Sequence, residues 1–293
     1  MTHVLTLISS TDNGLQDDLF TAIENKIAPT RKNWLKQGKA IDLFFSSAAI
    51  NDLASVMQPQ FDDAKIDAVL QADHDTRRKQ LLCADMDSTL IEQEGLDLIA
   101  AHIGLQEETA AITERAMCGE IDFAASLTER VSLLKGLDAS KLDDTFAQLS
   151  HTPGARTLVQ TMRDNGAKCI LISGGFTCFA DKIAEQLGCD EAHSNILDIK
   201  DGKLAGTVTP PIVDSARKRE ILLSEQEERH LSPGQILAVG DGANDIPMLQ
   251  SAGMGVAFRA KPATEAATQY RIRYNDLHAL LYIQGYDEDS FVS

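Results

Sequence analysis

The segment LLCADMDSTLIEQEGLDLIA, residues 81–100, begins with four apolar or small residues, as a buried strand does. Two aspartates follow at once, Asp85 and Asp87, with one methionine between them. Because side chains two apart on a strand point to the same face, both carboxylates would enter one crevice where the strand ends. Neighbouring like charges raise a pKa unless a cation intervenes. The pair therefore indicates either a metal site or a division of work between an acid and a nucleophile.

Composition narrows the class of protein around this segment. The chain has 293 residues, 43% of them hydrophobic, which is enough for one large domain or two ordinary ones. Its formal net charge of −17 argues against nucleic acid and anionic membranes as partners. A small anionic substrate is still compatible with this charge, because screening limits its reach to ~8 Å. No apolar run approaches the ~20 residues that cross a bilayer, and residues 1–14 lack the pattern of a signal peptide, so we expect a cytoplasmic protein.

Strand and helix patterns alternate along the chain, which predicts an α/β fold. We expect a Rossmann-like parallel sheet core with a helical cap inserted after the first core strand, plus a small N-terminal α+β domain. The predicted domains are residues 1–75 and 76–293, with the cap at about 93–150 and a charged linker at 73–80. In the N-terminal domain we predict strands at 3–8 and 40–45 and helices at 15–27 and 61–73.

The larger domain is predicted to begin with a strand at residues 80–85. After the helical block, the predicted strands lie at 167–172, 235–240, 252–258 and 270–274, the helices at 155–164, 176–188 and 216–230, and a hairpin turn at Asp201-Gly202. The helical block thus separates the first strand from the rest of its sheet. Such an insertion is placed to cover the carboxyl ends of the strands, where open α/β sheets bind their ligands.

Three further signals lie just after a predicted strand or early in a helix. LISGG, residues 171–175, places Ser173 and two glycines at a strand-to-helix turn, where main-chain N–H groups and a hydroxyl can bind an anion. Lys218 lies early in a later helix and can face the same site. VGDGANDIPML, residues 239–249, ends another strand with oxygen ligands of the kind that Mg²⁺ prefers, namely Asp241, Asn244 and Asp245. Each signal alone is common in ordinary turns and surfaces, but their joint occurrence predicts a catalytic site.

These motifs carry a resemblance to a known family. D-M-D-S-T, S-G-G, the isolated Lys218 and G-D-G-A-N-D are similar to the four motifs of the haloacid dehalogenase-like hydrolases, over about residues 80–285. Within that superfamily, DMDSTLIEQEGLD, ERVSLLKGL and GDGANDIPML together resemble the phosphoserine phosphatases, which often have Phe or Val where Met86 stands. The resemblance implies a Mg²⁺-dependent phosphoric monoester hydrolase. It would convert O-phospho-L-serine to L-serine and phosphate, the last step of serine biosynthesis.

The resemblance also implies roles for the catalytic residues. Asp85 would be the nucleophile that forms an aspartyl-phosphate intermediate. Asp87 would protonate the departing serine oxygen and then take a proton from the attacking water. Ser173, the Gly174 N–H and Lys218 would hold the phosphoryl oxygens while charge spreads over them.

The metal site implied by the resemblance binds Mg²⁺. Its ligands would be the carboxylates of Asp85 and Asp241 and the main-chain carbonyl of Asp87, with Asp245 supporting the ion through water. The ion would neutralise charge, because a carboxylate is a poor attacker on a dianion.

Recognition of phosphoserine requires an anion for its ammonium and a cation for its carboxylate. By resemblance, Glu94 meets the ammonium and Arg130, on a cap helix, meets the carboxylate, which a guanidinium can bind bidentately. Asn244 is a further implied substrate contact, and Met117 and Phe123 would close the pocket.

Four of these residues also have a purely structural interpretation. Glu94 could complement the dipole at a helix N-terminus, and Arg130 could form an exposed salt bridge with Glu129 or another surface acid. Core packing explains Met117 and Phe123 equally well.

Other functions compete with this assignment. A related Mg²⁺-dependent phosphatase could act on another small phosphomonoester, such as phosphohomoserine. A receiver domain also phosphorylates an aspartate at a strand end, but a hydrolase needs the acid and base that Asp87 would provide. Residues 1–75 could be an ACT-like unit for serine feedback or for forming a homodimer, or a stabilising appendage.

Overall fold

The computed structural model describes residues 2–12, 14–15, 18–46, 51–117 and 121–292. In this part of the chain the strands form two sheets, one of four strands and one of seven. The larger sheet is mostly parallel and has helices on both faces, so the predicted α/β fold is confirmed. Among the described helices, none combines the length and the apolar character needed to cross a membrane.

The smaller sheet is N-terminal and antiparallel. Its elements are β1 (His3–Ser9), α1 (Asp18–Ile27), β2 (Arg31–Lys36), β3 (Ala40–Phe45), α2 (Asn51–Asp63) and β4 (Ile66–Ala72). The strands lie in the order β2-β3-β1-β4. This β-α-β-β-α-β sequence of elements is that of ferredoxin-like units.

Both faces of the N-terminal sheet are covered. One face packs with the helices around Leu7 and Phe61. The opposite face contributes Ile8 and Val69 to the same apolar core as the larger sheet. The N-terminal sheet is therefore docked on the rest of the chain through an apolar face.

Buried polar contacts also join the N-terminal sheet to the rest of the chain. Arg77 donates hydrogen bonds to the Asp42 carboxylate at 2.8 and 2.7 Å and to the carbonyl oxygen of Ile283 at 3.1 Å. The Asp67 carboxylate accepts main-chain N–H groups of residues 273–275 at 2.8 to 3.1 Å. The predicted linker is thus held firmly where Arg77 lies.

The helix predicted at residues 61–73 is wrong. Helix α2 ends earlier, and Ile66–Ala72 form β4, which pairs with β1. Residues 66, 69 and 70 have the spacing of a helix face, but in the strand Ile66 and Leu70 face one core and Val69 faces the other. Burial of both faces therefore overrides the local pattern. Strand β2 was not predicted, because its sequence RKNWLK is mostly polar and lacks the apolar pattern of a strand.

The predicted cap is helical and lies between the first two strands of the larger sheet, β5 (Leu81–Ala84) and β6 (Lys168–Phe176). It contains α3 (Gly95–Ala101), α4 (Gln106–Met117), α5 (Phe123–Leu133) and α6 (Lys141–Phe146). The Asp122 carboxylate accepts a hydrogen bond from the Ala125 N–H and so caps α5.

The larger sheet continues with strands predicted from the C-terminal half. They are β7 (Glu191–Lys200), β8 (Lys203–Thr209), β9 (Ile236–Gly240), β10 (Met254–Phe258) and β11 (Tyr270–Ile272). The order is β11-β10-β9-β5-β6-β7-β8, and the edge strand β8 is antiparallel. The β7–β8 hairpin turns at Asp201 and Gly202, both with positive φ, as predicted.

Helices cover both faces of the larger sheet because its strands are apolar on both sides. The helices are α7 (Ala155–Asp164), α8 (Thr177–Leu187), α9 (Ser215–Glu228), α10 (Ile246–Ser251), α11 (Pro262–Ala267) and α12 (Ala279–Tyr282). Leu82 and Leu171 share a core with α7 and α8, whereas Leu81 and Ile170 share one with α9 and α10. Successive residues of each strand thus point to opposite layers.

Candidate active site

The predicted motifs meet at the carboxyl ends of three neighbouring strands, β9, β5 and β6. A cavity of about 400 Å³ opens there beneath the cap. Predicted site residues that line it are Asp85, Asp87, Glu94, Phe123, Arg130, Gly174, Asp241 and Asn244. Open α/β sheets bind ligands at this edge, so the position suits a catalytic site.

Asp85 follows directly after β5 and is 5% exposed. Its N–H donates to the carbonyl oxygen of Val239 at 3.0 Å, and its carboxylate accepts the Met86 N–H at 2.8 Å. Burial and the nearby Asp245 raise the pKa of Asp85 well above its usual value, while Lys218 opposes this change. The carboxylate is therefore fixed in place and in need of positive charge.

Lys218 supplies part of that charge from helix α9. Its ammonium lies 2.7 Å from Asp85 Oδ1 and 2.6 Å from Asp245 Oδ1, and its side chain is fully buried. Burial alone would lower the pKa of Lys218, but the two carboxylates outweigh burial and the pKa is raised. The lysine thus stays cationic beneath the cavity.

Three carboxylates form a group that could hold a metal ion. Asp85, Asp241 and Asp245 each offer one oxygen, and these oxygens lie within 4.8 Å of one another. Burial, and next the charge of Asp245, raises the pKa of Asp241 to about 7. A buried set of oxygen ligands with such repulsion fits a hard divalent cation such as Mg²⁺.

The Asp87 carboxylate is not one of these three metal-holding carboxylates and has hydrogen-bond partners of its own. The wide turn Met86–Leu90, in which Ser88 has a φ of 54°, carries the Asp87 carboxylate toward the cap. Its Oδ1 accepts the Gly95 N–H at 2.8 Å, and its Oδ2 lies 3.4 Å from the Ser173 hydroxyl. Burial, followed by the charge of Glu94, raises the pKa of Asp87 to about 7. A carboxyl with this pKa can both give and take a proton near neutral pH.

The S-G-G segment lies near the C-terminal end of β6, close to Phe123 of the cap and to the Asp87 carboxylate. Ser173 is fully buried, and its hydroxyl accepts the Gly175 N–H at 2.8 Å. A Cβ at position 174 would lie 2.7 Å from the Phe123 ring, and one at 175 would lie 2.6 Å from Asp87 Oδ2. Glycine is needed at both positions because the cap and the catalytic carboxyl approach the main chain so closely.

Glu94 and Arg130 face the cavity from the cap side. Glu94 makes no side-chain capping hydrogen bond to α3 and instead accepts the Ser88 hydroxyl at 2.7 Å. Arg130 donates to the Ser126 carbonyl oxygen and to the Thr113 hydroxyl, both at 3.3 Å. Glu94 lies at the N-terminus of α3, so its charge is still placed to complement the helix dipole, whereas Arg130 does not form the expected pair with Glu129.

Glu129 pairs instead with Arg115, at 3.0 Å on the outer surface of the cap. The half-buried Phe123 packs on the core and also lines the cavity beside Gly174, which is compatible with either interpretation. The Met117 side chain lies outside the described residues, and its role stays a prediction.

Two residues of the site escaped the sequence analysis. Ser88 holds Glu94 and lies inside the quoted D-M-D-S-T motif, so its position was a usable signal. Lys261 lines the cavity, with its ammonium 4.0 Å from Asp241. It follows the end of β10, which is one strand further along the same sheet edge.

Sequence comparisons identify the family. A family model described as haloacid dehalogenase-like hydrolase matches residues 79–253. A phosphoserine phosphatase of Streptomyces coelicolor is 45% identical over 218 residues, which are 74% of this chain and 53% of that protein. A probable phosphoserine phosphatase of Schizosaccharomyces pombe is 44% identical over 213 residues, 72% of each chain. The chain thus spans about half the length of the Streptomyces relative.

Solved structures agree with the sequence comparisons. A haloacid dehalogenase family hydrolase from Salmonella enterica serovar Typhi has a TM-score of 0.86 and 28% identity, over 98% of this chain and 99% of that one. A phospho-aspartyl intermediate analogue of phosphoserine phosphatase has a TM-score of 0.66 and 39% identity, over 70% and 98% of the two chains. The chain therefore belongs to the haloacid dehalogenase-like hydrolases, as the motifs predicted, and its relatives within that family include phosphoserine phosphatases.

Proposed function

We propose that the chain is a Mg²⁺-dependent phosphatase that hydrolyses O-phospho-L-serine to L-serine and phosphate, the last step of serine biosynthesis. One observation carries the proposal. The buried carboxylate of Asp85 forms an ion pair with Lys218 at the floor of the cavity. The cap side of the same cavity presents the anionic Glu94 and the cationic Arg130. That arrangement offers one partner for each charged group of phosphoserine, and relatives named phosphoserine phosphatase support it.

Asp85 and Asp241 would hold the Mg²⁺ ion together with the predicted carbonyl ligand at Asp87, and Asp245 would support it through water. When bound, the ion neutralises charge on these carboxylates and on the phosphoryl oxygens. Only oxygen atoms are offered here, which favours Mg²⁺ over the transition metals that histidine and cysteine attract.

Asp85 would attack the phosphorus atom and form an aspartyl-phosphate as the bond to the serine oxygen breaks. The Met86 N–H and the Lys218 ammonium hold the carboxylate before the reaction, so little reorganisation is needed. Lys218, the Ser173 hydroxyl and the Gly174 N–H would bind phosphoryl oxygens as charge spreads over them. A water molecule would then hydrolyse the aspartyl-phosphate.

Asp87 would move the protons of both steps. With a pKa raised to about 7, it carries a proton for the departing serine oxygen near neutral pH. The carboxylate left behind then accepts a proton from the attacking water. General acid and base work of this kind contributes ~10²–10⁴-fold to the rate.

Glu94 and Arg130 would select the amino-acid part of the substrate. The Ser88 hydroxyl holds the Glu94 carboxylate at 2.7 Å, and that carboxylate would meet the substrate ammonium. Weak 3.3 Å contacts leave the Arg130 guanidinium able to form a bidentate pair with the substrate carboxylate. Asn244 would add a contact, while Phe123 and Met117 would close the pocket.

A substrate panel tests this proposal. We expect Mg²⁺-dependent turnover of phosphoserine with a kcat/KM well above those for phosphohomoserine and p-nitrophenyl phosphate. Preference for a phosphate ester that lacks the α-amino group would contradict the role of Glu94 and the proposed substrate. Turnover unaffected by a chelator would contradict the metal site.

A further inference from the structure

Asn195, on β7, bonds two segments that flank the phosphoryl end of the cavity. It is 1% exposed. Its amide Nδ2 donates to the carbonyl oxygen of Gly174 at 2.9 Å, and its Oδ1 accepts the Val213 N–H at 2.8 Å. Both ends of the side-chain amide are therefore used on main-chain groups of different segments.

The first of these bonds replaces a missing bond of the sheet. Strands β6 and β7 pair at Ile172 with His193 and again at Phe176 with Asn195, so the register shifts between them. Three residues of β6 thus stand opposite one residue of β7, and the regular ladder is interrupted at the S-G-G segment. The Asn195 side chain reaches the Gly174 carbonyl oxygen that this interruption leaves behind.

This bond fixes a peptide plane in the anion-binding segment. The peptide that joins Gly174 to Gly175 is held at its carbonyl by Asn195 and at its N–H by the Ser173 hydroxyl, at 2.8 Å. Peptides are planar, so holding both ends sets the main-chain direction of these flexible glycines. The adjacent Gly174 N–H is positioned by the same constraint.

The second bond reaches the helix that carries Lys218. Val213 directly precedes Asp214, whose carboxylate accepts the Arg217 N–H and caps α9. The main-chain N–H of Lys218 donates to the Asp214 carbonyl oxygen at 2.9 Å in the first turn. Asn195 therefore holds the start of α9 against the S-G-G segment.

We infer that Asn195 is a positioning residue that keeps the S-G-G segment and Lys218 in register around a bound phosphoryl group. The inference rests on the proposed phosphatase function, but it concerns the phosphoryl end of the cavity and not the amino-acid end. Asn195 acts through Gly174 and Val213 and does not itself contact the substrate.

Asn195→Ala tests the inference, with Ser194→Ala as the matched control. Ser194 is the preceding residue of the same strand, and its hydroxyl has no partner in the described part of the chain. We expect Asn195→Ala to weaken inorganic phosphate binding, measured calorimetrically with Mg²⁺, about tenfold, because each lost hydrogen bond that positions the phosphate-binding groups is worth ~0.5–1.5 kcal/mol. The control should bind phosphate as the wild type does.

The two substrates give a second readout. Asn195→Ala should lower kcat/KM for phosphoserine and for p-nitrophenyl phosphate by the same factor, because both present a phosphoryl group. A folded variant with wild-type phosphate affinity, or one that loses only phosphoserine turnover, overturns the inference. If the wild type hydrolyses p-nitrophenyl phosphate but not phosphoserine, the proposed substrate fails while phosphate binding still decides the role of Asn195.

Asn195→Asp covers the case in which the alanine variant does not fold. A protonated aspartic acid can donate to Gly174 and accept from Val213 as the amide does, whereas the ionised form would repel the Gly174 carbonyl oxygen. Burial at this position, which is 1% exposed, raises a carboxyl pKa above its usual ~3.9. The ratio of variant to wild-type kcat/KM should therefore increase as the pH is lowered from about 8 to about 5. An unchanged ratio across this interval overturns the inference.

Discussion

The floor and the cap side of the cavity are built differently. On the floor, Lys218 and Asp245 have no exposed side-chain surface and are joined at 2.6 Å. On the cap side, Glu94 is exposed, and Arg130 is held only by contacts of 3.3 Å. The buried Lys218–Asp245 pair of the floor is thus in place before any ligand arrives, whereas the cap side retains donors for a ligand.

This difference matches two functions, phosphoryl transfer on the floor and substrate recognition on the cap side. Phosphoryl transfer gains from charges that are already placed where charge develops, because no reorganisation is then needed. Recognition gains from groups that form their best hydrogen bonds only with the right ligand. Substitutions on the floor should therefore affect every phosphate ester, and substitutions on the cap side should affect only some.

The largest effect on activity is expected from Asp87→Asn. Loss of the acid and base should lower kcat for phosphoserine ~10²–10⁴-fold. Mg²⁺ affinity, measured by calorimetry, should stay near the wild-type value, because the Asp87 carboxylate lies outside the group of three metal-holding carboxylates. Retained turnover would show that protons move by another route.

Arg130→Ala should have a smaller and selective effect. Loss of a charge-assisted pair of ~1.5–3 kcal/mol corresponds to a kcat/KM for phosphoserine about 10–100-fold lower. Turnover of p-nitrophenyl phosphate, which has no carboxylate, should be nearly unchanged. Arg130→Lys should recover only part of the loss, because an ammonium cannot pair bidentately. Equal losses on both substrates would mean that Arg130 serves the structure of the cap.

Glu94→Gln should shift a pH profile by a modest amount. The raised pKa of Asp87, about 7, keeps its proton up to that pH, so kcat/KM should decline as pH rises further. The negative charge of Glu94 contributes to that shift after burial. Its removal should move the decline to lower pH, measured with glycerol phosphate, an alkyl ester without an ammonium. A decline at the wild-type pH in this variant would mean that the charge of Glu94 does not influence the pKa of Asp87.

The smallest effect on activity is expected at the N-terminal sheet, because none of its described residues lines the cavity. Arg77→Met leaves Asp42, 1% exposed, without its buried partner, and breaking such a pair costs ~3–5 kcal/mol of unfolding free energy. The exposed pair of Lys32 with Glu24 offers the control Lys32→Met, which should change stability little. Denaturant unfolding measures both variants, and kcat/KM should stay near wild type. A large loss of activity in folded Arg77→Met would instead favour a sensing role for this sheet.

The sequence predicted the site better than it predicted the N-terminal sheet, for a physical reason. Asp85 and Asp241 directly follow short apolar strands, and Ser173 lies near the C-terminal end of a third, so a local pattern places them at one sheet edge. By contrast, β4 is covered on both faces, and only the tertiary structure distinguishes its pattern from that of a helix.

Local sequence patterns also could not predict roles that depend on residues distant along the chain. Asn195 lies 21 residues from Gly174 along the chain, and nothing around it indicates their hydrogen bond. The division at residue 75, the ACT-like role, the homodimer and the cytoplasmic location stay predictions.

Covalent capture of the phosphoryl group at Asp85 tests the central claim most directly. Labelled phosphoserine would be mixed with the enzyme and Mg²⁺, quenched in acid within milliseconds, and the labelled peptide identified. With the label on phosphorus, we predict an acid-stable label on Asp85 that appears as serine departs and before inorganic phosphate is released, and that is absent in Asp85→Asn. Normal hydrolysis with no label on Asp85 at any quench time would contradict the mechanism.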